Sequence, residues 1–209
     1  MGFFRVDGPY YKFGVMIADI VVMSIVWFVC SLPLVTIGAS TTAIYYNMTK
    51  RVSGREGYQL KDFFSSFKKN FVQATLVWLT VLALTAIILF NLNNAQIMGR
   101  MASVIVPIQL ALLFGITAVG LYSFPLLSRF EAQYFGLLKS AFFMASRHFL
   151  TTITVMLLFI ASLWLVYAMP VFIIFVPASF FLLSSKMFVL IFRKHRPELD
   201  RDEDEAEVL

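Results

Sequence analysis

Charge is scarce in this chain of 209 residues: Asp, Glu, Lys and Arg together make up 14%, where a soluble domain carries about a quarter. That shortage excludes a water-solvated globule. One cysteine, Cys30, excludes an intrachain disulfide. The two histidines, His148 and His195, have no second His or Cys at ligand spacing, so no zinc site is expected. There is no Walker A sequence, no Gly-x-Ser-x-Gly, no His-Glu-x-x-His and no acid pair inside an apolar stretch. Nucleophiles and bases occur only singly, so the chain reads as a non-enzyme without a metal or cofactor.

What is abundant is hydrocarbon. Hydrophobic residues make up 60%, including 23 Phe, and the mean hydropathy is +0.82. The formal charge is +5 overall, but residues 198–209 hold seven acids and one Arg, leaving +11 on the preceding 197. An oily, basic chain of this kind fits a membrane protein with cationic loops and not a nucleic-acid binder. The acidic run at the end reads as a solvated, disordered tail.

Four runs lack Asp, Glu, Lys and Arg: residues 20–49, 70–99, 101–128 and 148–185. A helical crossing needs about 20 apolar residues. The middle two runs fit one crossing each. The outer two are too long for one and are broken by Pro33 and by Met169-Pro170. The expected fold is therefore all-α and polytopic, with six transmembrane helices over about 13–32, 34–48, 71–90, 101–127, 149–168 and 171–192. Pro177 is expected to kink the sixth. The first apolar stretch is too long for a signal-peptide core and lacks a small-x-small cleavage site, so it reads as an uncleaved helix. In the second, Thr36, Ser40, Thr41 and Thr42 lower the hydropathy, and a re-entrant hairpin competes with a full crossing.

Six crossings with both termini on one side put sixteen Lys and Arg there and leave Arg100 alone on the other. Basic residues favour the cytoplasmic side, so the expected location is the plasma membrane with both termini cytoplasmic. The two long cytoplasmic connections also echo each other. At an offset of 78, Leu60, Lys61, Phe64 and Phe71 meet Leu138, Lys139, Phe142 and Phe149. At 77, Gly38, Ser40, Ile44 and Tyr45 meet Gly115, Thr117, Leu121 and Tyr122. Two parallel copies of a span, a cytoplasmic amphipathic helix and a span would explain this; so would convergence among aromatic, basic membrane-entry segments.

Three groups of residues are candidates for function. Asp19 is the one acid well inside a span, and an ionisable group there is a functional hypothesis by default. Lys186 stands at a similar depth on the sixth helix, and an Asp19–Lys186 ion pair joining the two helices is the expected arrangement. A proton- or ligand-linked role and simple interfacial placement compete with it. Thr36, Gly38, Ser40, Thr41 and Thr42 supply either close helix packing or the lining of a polar pocket. In the connection over 50–70, Phe63, Phe64 and Phe67 with Lys61, Lys68 and Lys69 form an aromatic, basic surface for anionic lipid or for a protein partner.

The opening Gly2-Phe3-Phe4 with Asp7-Gly8-Pro9, the run Cys30-Ser31-Leu32-Pro33-Leu34-Val35-Thr36-Ile37-Gly38-Ala39-Ser40-Thr41-Thr42-Ala43, and the segments Gly54-Arg55-Glu56-Gly57-Tyr58 and Asp62-Phe63-Phe64-Ser65-Ser66-Phe67-Lys68-Lys69-Asn70-Phe71 resemble the YesL-like family of bacterial integral membrane proteins. The likeness is concentrated in residues 1–75. It implies a multi-pass plasma-membrane protein of unestablished activity, in a family associated with carbohydrate ABC importers and sugar-responsive regulators. The expected function is an accessory component of such an importer, with the bilayer and importer subunits as partners. The competing functions are a small-solute transporter or channel, and a membrane sensor with a cytoplasmic partner. A polar cavity reaching Asp19 would favour transport; a dry bundle with exposed Phe63, Phe64 and Phe67 would favour docking.

Overall fold

The computed structural model describes residues 9–55, 58–130 and 132–195. The opening motif before Pro9, Glu56 and Gly57, and the acidic tail over 198–209 lie outside the described residues. The described residues form seven α-helices: α1 Pro9–Ser31, α2 Ile37–Val52, α3 Gln59–Asn93, α4 Ala102–Arg129, α5 Tyr134–Arg147, α6 Phe149–Ala168 and α7 Val176–His195. Short 3₁₀ turns link α1 to α2, α3 to α4 and α6 to α7.

Among the described residues, four stretches are long and apolar enough to cross a membrane: Gly14–Ser31, Gln59–Asn93, Gly99–Arg129 and Phe149–Ala168. Six are not shown. The expected second crossing forms only α2, whose 16 residues rise about 24 Å against a hydrocarbon core of about 30 Å. The expected sixth is the shorter apolar helix Val176–Phe192. Pro177 is the second residue of α7 and does not kink it; a missing N–H costs nothing in a first turn, whose N–H groups have no helical partner anyway. The amphipathic segment 60–71 and the span after it are one unbroken 35-residue helix, α3.

Burial is turned inside out relative to a soluble bundle. Only five residues of α3 and two of α6 are buried, and from Phe71 onward the large side chains that α3 and α6 expose are Leu, Ile, Val, Phe, Trp and Tyr. α2, the least apolar of the six expected spans, buries eleven of its 16 residues. It packs against α1, α3, α4 and α7 and forms the core. Lipid tails are as apolar as leucine, so no hydrophobic effect drives helices together in a bilayer. Close packing and hydrogen bonding do, which favours a small, hydroxylated helix at the centre.

Two glycines shape α2. Gly38 lies against α3, where an added Cβ would collide with the Ala74 carbonyl oxygen and come within 2.7 Å of Trp78 Cβ. Gly54, with φ of 77°, ends the helix. Its N–H bonds to the Arg51 carbonyl at 3.0 Å and the Arg55 N–H to that of Lys50 at 3.1 Å, the paired bonds of a Schellman cap. The 31–37 turn meets α3 at its middle, where Trp78 Nε1 donates to the Leu34 carbonyl at 2.8 Å. Beyond Trp78, α3 continues for fifteen residues, about 22 Å. The α1–α2 hairpin therefore does not accompany α3 along its full length.

Candidate functional site

Asp19 does not pair with Lys186. Its Oδ2 accepts a hydrogen bond from Arg51 Nη1 at 2.6 Å, with both side chains less than one-third exposed. Lys186 is exposed on α7. α1 and α7 are neighbours, as the expected pair required, but Arg51 is brought closer. The antiparallel α1–α2 hairpin returns the chain to the level of Asp19 after 32 residues. Counting residues from the flanking cations gives depth along a helix and says nothing about its rotation. A second bridge, Lys50 Nζ to Asp62 Oδ2 at 3.3 Å, ties the same end of α2 to α3.

The hydroxyl-rich run is spent on helix contacts. Thr36 Oγ1 donates to the Cys30 carbonyl at 2.6 Å and lies 2.7 Å from that of Pro33, groups at the turn that Pro33 opens. Ser40 Oγ shares a 2.6 Å bond with Ser31 Oγ across the hairpin. Thr41 Oγ1 accepts from Trp27 Nε1 at 3.3 Å, and Thr42 Oγ1 donates back to the Gly38 carbonyl at 3.0 Å. Ser40 and Thr42 are fully buried.

The proposed aromatic surface is split. Phe63 is fully buried and Phe67 half-buried, while Phe64 is 46% exposed with Lys61 and Lys68 beside it. The helical face that carries Phe63 and Phe67 turns toward the bundle, as an amphipathic face does when a core is available. The outward aromatic surface instead continues on α5. There Leu137, Ala141 and Ala145 face the core, and Phe135, Phe142 and Phe143 are exposed with Lys139 and Arg147 among them. Lys69 stands in a polar cleft of about 210 Å³ with Asp62, Asn70, Ser128 and Arg129. This cleft brings the α2–α3 and α4–α5 connections to the same end of the bundle.

A larger cavity, about 630 Å³, lies beneath the 31–37 turn between α1, α2, α3, α4, α6 and α7. Its wall is almost wholly apolar, with Trp27, Trp78, Phe180 and Phe181 prominent. Asp19 is not part of the wall. No group of three His, Cys, Asp or Glu residues that could hold a metal occurs among the described residues.

The sequence echo has a counterpart in the packing. Tyr45 and Tyr122, paired at offset 77, are both buried and both set edge-on against Phe188, with ring centroids 5.9 and 4.9 Å away. Each phenol oxygen is met by a hydroxyl, Ser184 Oγ at 3.2 Å and Thr152 Oγ1 at 3.1 Å. At offset 78, Phe63, Ala74 and Val77 are buried, and so are Ala141, Thr152 and Val155. The two units differ at one joint: α3 runs straight through Asn70, whereas the chain leaves helical geometry at His148, with φ of −109° and ψ of 50°.

Arg51, Trp27, Trp78 and Phe188 were not singled out from sequence. Arg51 had a usable signal, a cation at the foot of a helix that Pro33 folds back on α1. Of the cavity wall only Thr41 was among the pocket candidates; the rest comes from six helices, and each contribution reads as ordinary span.

Residues 20–92 match the family model described as "Protein of unknown function, DUF624". The likeness covers that segment, less than half of the chain. It runs from α1, one residue past Asp19, through the whole of α2 to the end of α3. It thus contains Arg51, the buried hydroxyl run and both cavity tryptophans, about a third of the chain. No curated protein and no solved structure matches. The chain is a multi-pass membrane protein by its candidate spans, and the family model it matches in part has no assigned activity.

Proposed function

We propose that this protein is an accessory membrane subunit that docks on other membrane proteins, and neither a conduit nor an enzyme. The observation that carries the reading is the outer face of α5, where Phe135, Phe142 and Phe143 stand exposed beside Lys139 and Arg147 on a helix whose other face is seated in the bundle. Aromatic and Arg side chains are the residues that dominate protein interfaces. The transport reading loses its two supports: the Asp19 carboxylate is taken by Arg51, and the large cavity is apolar and does not reach Asp19.

The finer placement belongs to the same proposal. Six helical segments, the second and sixth short, put both termini in the cytoplasm, because the cations gather at the end of the bundle that holds Arg51, Lys69 and Arg129. The docking face of α5 is then cytoplasmic, at the headgroup boundary. The resemblance to the YesL-like family supports carbohydrate ABC importers as the partners. Crosslinking in native membranes followed by pull-down tests this: importer permeases should be recovered, and replacing Phe142 and Phe143 by Ala should abolish their recovery. A pull-down without permeases, from protein that moves solute in liposomes, overturns the reading.

A further inference from the structure

The 630 Å³ cavity falls within the roughly 300–1,000 Å³ range of small-molecule sites, and its chemistry selects what can fill it. Most of the polar side chains on its wall are already engaged within the protein. The indole N–H of Trp27 is turned to Thr41 and that of Trp78 to the Leu34 carbonyl, so both rings offer the cavity only carbon. The hydroxyls of Thr117 and Ser162 donate one turn back, to the carbonyls of Leu113 and Leu158 at 2.8 and 2.7 Å. The Tyr45 oxygen is met by Ser184. A buried water needs about two to four polar partners, and this wall has few to give. A sugar or an ion fails for the same reason, and an unfilled space forfeits the dispersion contacts of its lining.

The rim shows where an apolar occupant would enter. Phe28, Leu32, Leu82 and Leu163 belong to the wall of this partly open cavity and are 39–64% exposed. The cavity is therefore continuous, through side chains alone, with the apolar outer surface of α1, α3 and α6. In a bilayer that surface faces hydrocarbon. We propose that the cavity is a binding site for one hydrocarbon chain, the acyl tail of a membrane lipid, which enters sideways past Phe28 and Leu163. This site is separate from the α5 docking face and does not depend on it.

The tryptophans make the proposal measurable. The chain has three: Trp27 and Trp78 on the cavity wall, and Trp164, which is 68% exposed. In a Trp164→Phe background in detergent, the full chain would be titrated with phosphatidylcholine carrying a dibrominated stearoyl chain, whose bromines quench indole on contact. Emission should fall and level off at about one lipid per protein, and unbrominated lipid should restore it. Gly120→Leu or Thr117→Phe, which grow side chains into the cavity, should remove the saturable phase while leaving the helical content unchanged. Quenching that only rises in proportion to brominated lipid, or that unbrominated lipid does not reverse, overturns the proposal. So does a plateau reached only as the protein dimerises, which would put a side chain of a second copy in the space. If both filled variants fail to fold, native mass spectrometry of the Trp164→Phe protein decides: a retained single lipid supports the site, and bare protein refutes it.

Discussion

Asp19 and Arg51 meet at 2.6 Å where the foot of α2 returns to α1. Exposed ion pairs contribute about 0–1 kcal/mol, and partial burial in an apolar bundle places this one at the upper end. Asp19→Asn should lower the unfolding midpoint by about 2–4 °C, as expected for about 1 kcal/mol in a chain of this size. The partner is tested by a double-mutant cycle: Asp19→Asn should couple to Arg51→Gln and be additive with Lys186→Gln. Coupling to Lys186 would mean that α7 is rotated from the position described. The glycines of the core give a sharper contrast. A Cβ at Gly38 collides with the α3 backbone, whereas at Gly120 it would touch Val81 side-chain carbons at 3.4–3.5 Å. Gly38→Ala should cost about 1–3 kcal/mol through overpacking and reduce the folded protein recovered from membranes. Gly120→Ala should leave that yield nearly unchanged.

At the scale of the element, α2 is held by what it lacks. It has small residues where α3 approaches and hydroxyls that bond across the hairpin, and it ends on Gly54 in the left-handed region. An L-residue there pays roughly 1–2 kcal/mol, so Gly54→Ala should destabilise the bundle by about that much, and Gly54→Asn by less. Thermal unfolding followed by circular dichroism in detergent separates the two. α6 was legible to the residue, 149–168 in both the hydropathy and the structure, because an uninterrupted apolar run bounded by Arg147 and Pro170 leaves no other choice. α3 was not. The change from amphipathic to apolar near Phe71 looks like the boundary between two helices, yet no Pro or Gly stands between Gln59 and Asn93 to end the first one. Phe63 and Phe67 were misplaced for a related cause: periodicity defines a face but does not say whether a core or a partner covers it.

For the whole molecule, the decisive measurement is the side on which the connections emerge. With Cys30→Ser as background, a cysteine at Arg55 and another at Asn94 should react with an impermeant thiol reagent from opposite compartments. Labelling of both from one side would overturn the cytoplasmic placement of the α5 face. The packing of both Tyr45 and Tyr122 against Phe188 also gives the sequence echo a physical content, since equivalent positions in the two units serve the same contact. The all-α class, the membrane setting and the grouping of cations were readable from the chain alone, because hydropathy and charge add up along it and the bilayer imposes a fixed length on each crossing. Which side chain Asp19 meets, which helix becomes the core, and the existence of the cavity were decided only by tertiary structure. Each depends on how helices rotate and tilt against one another, and a linear spacing carries no record of an angle set by residues on the other helices.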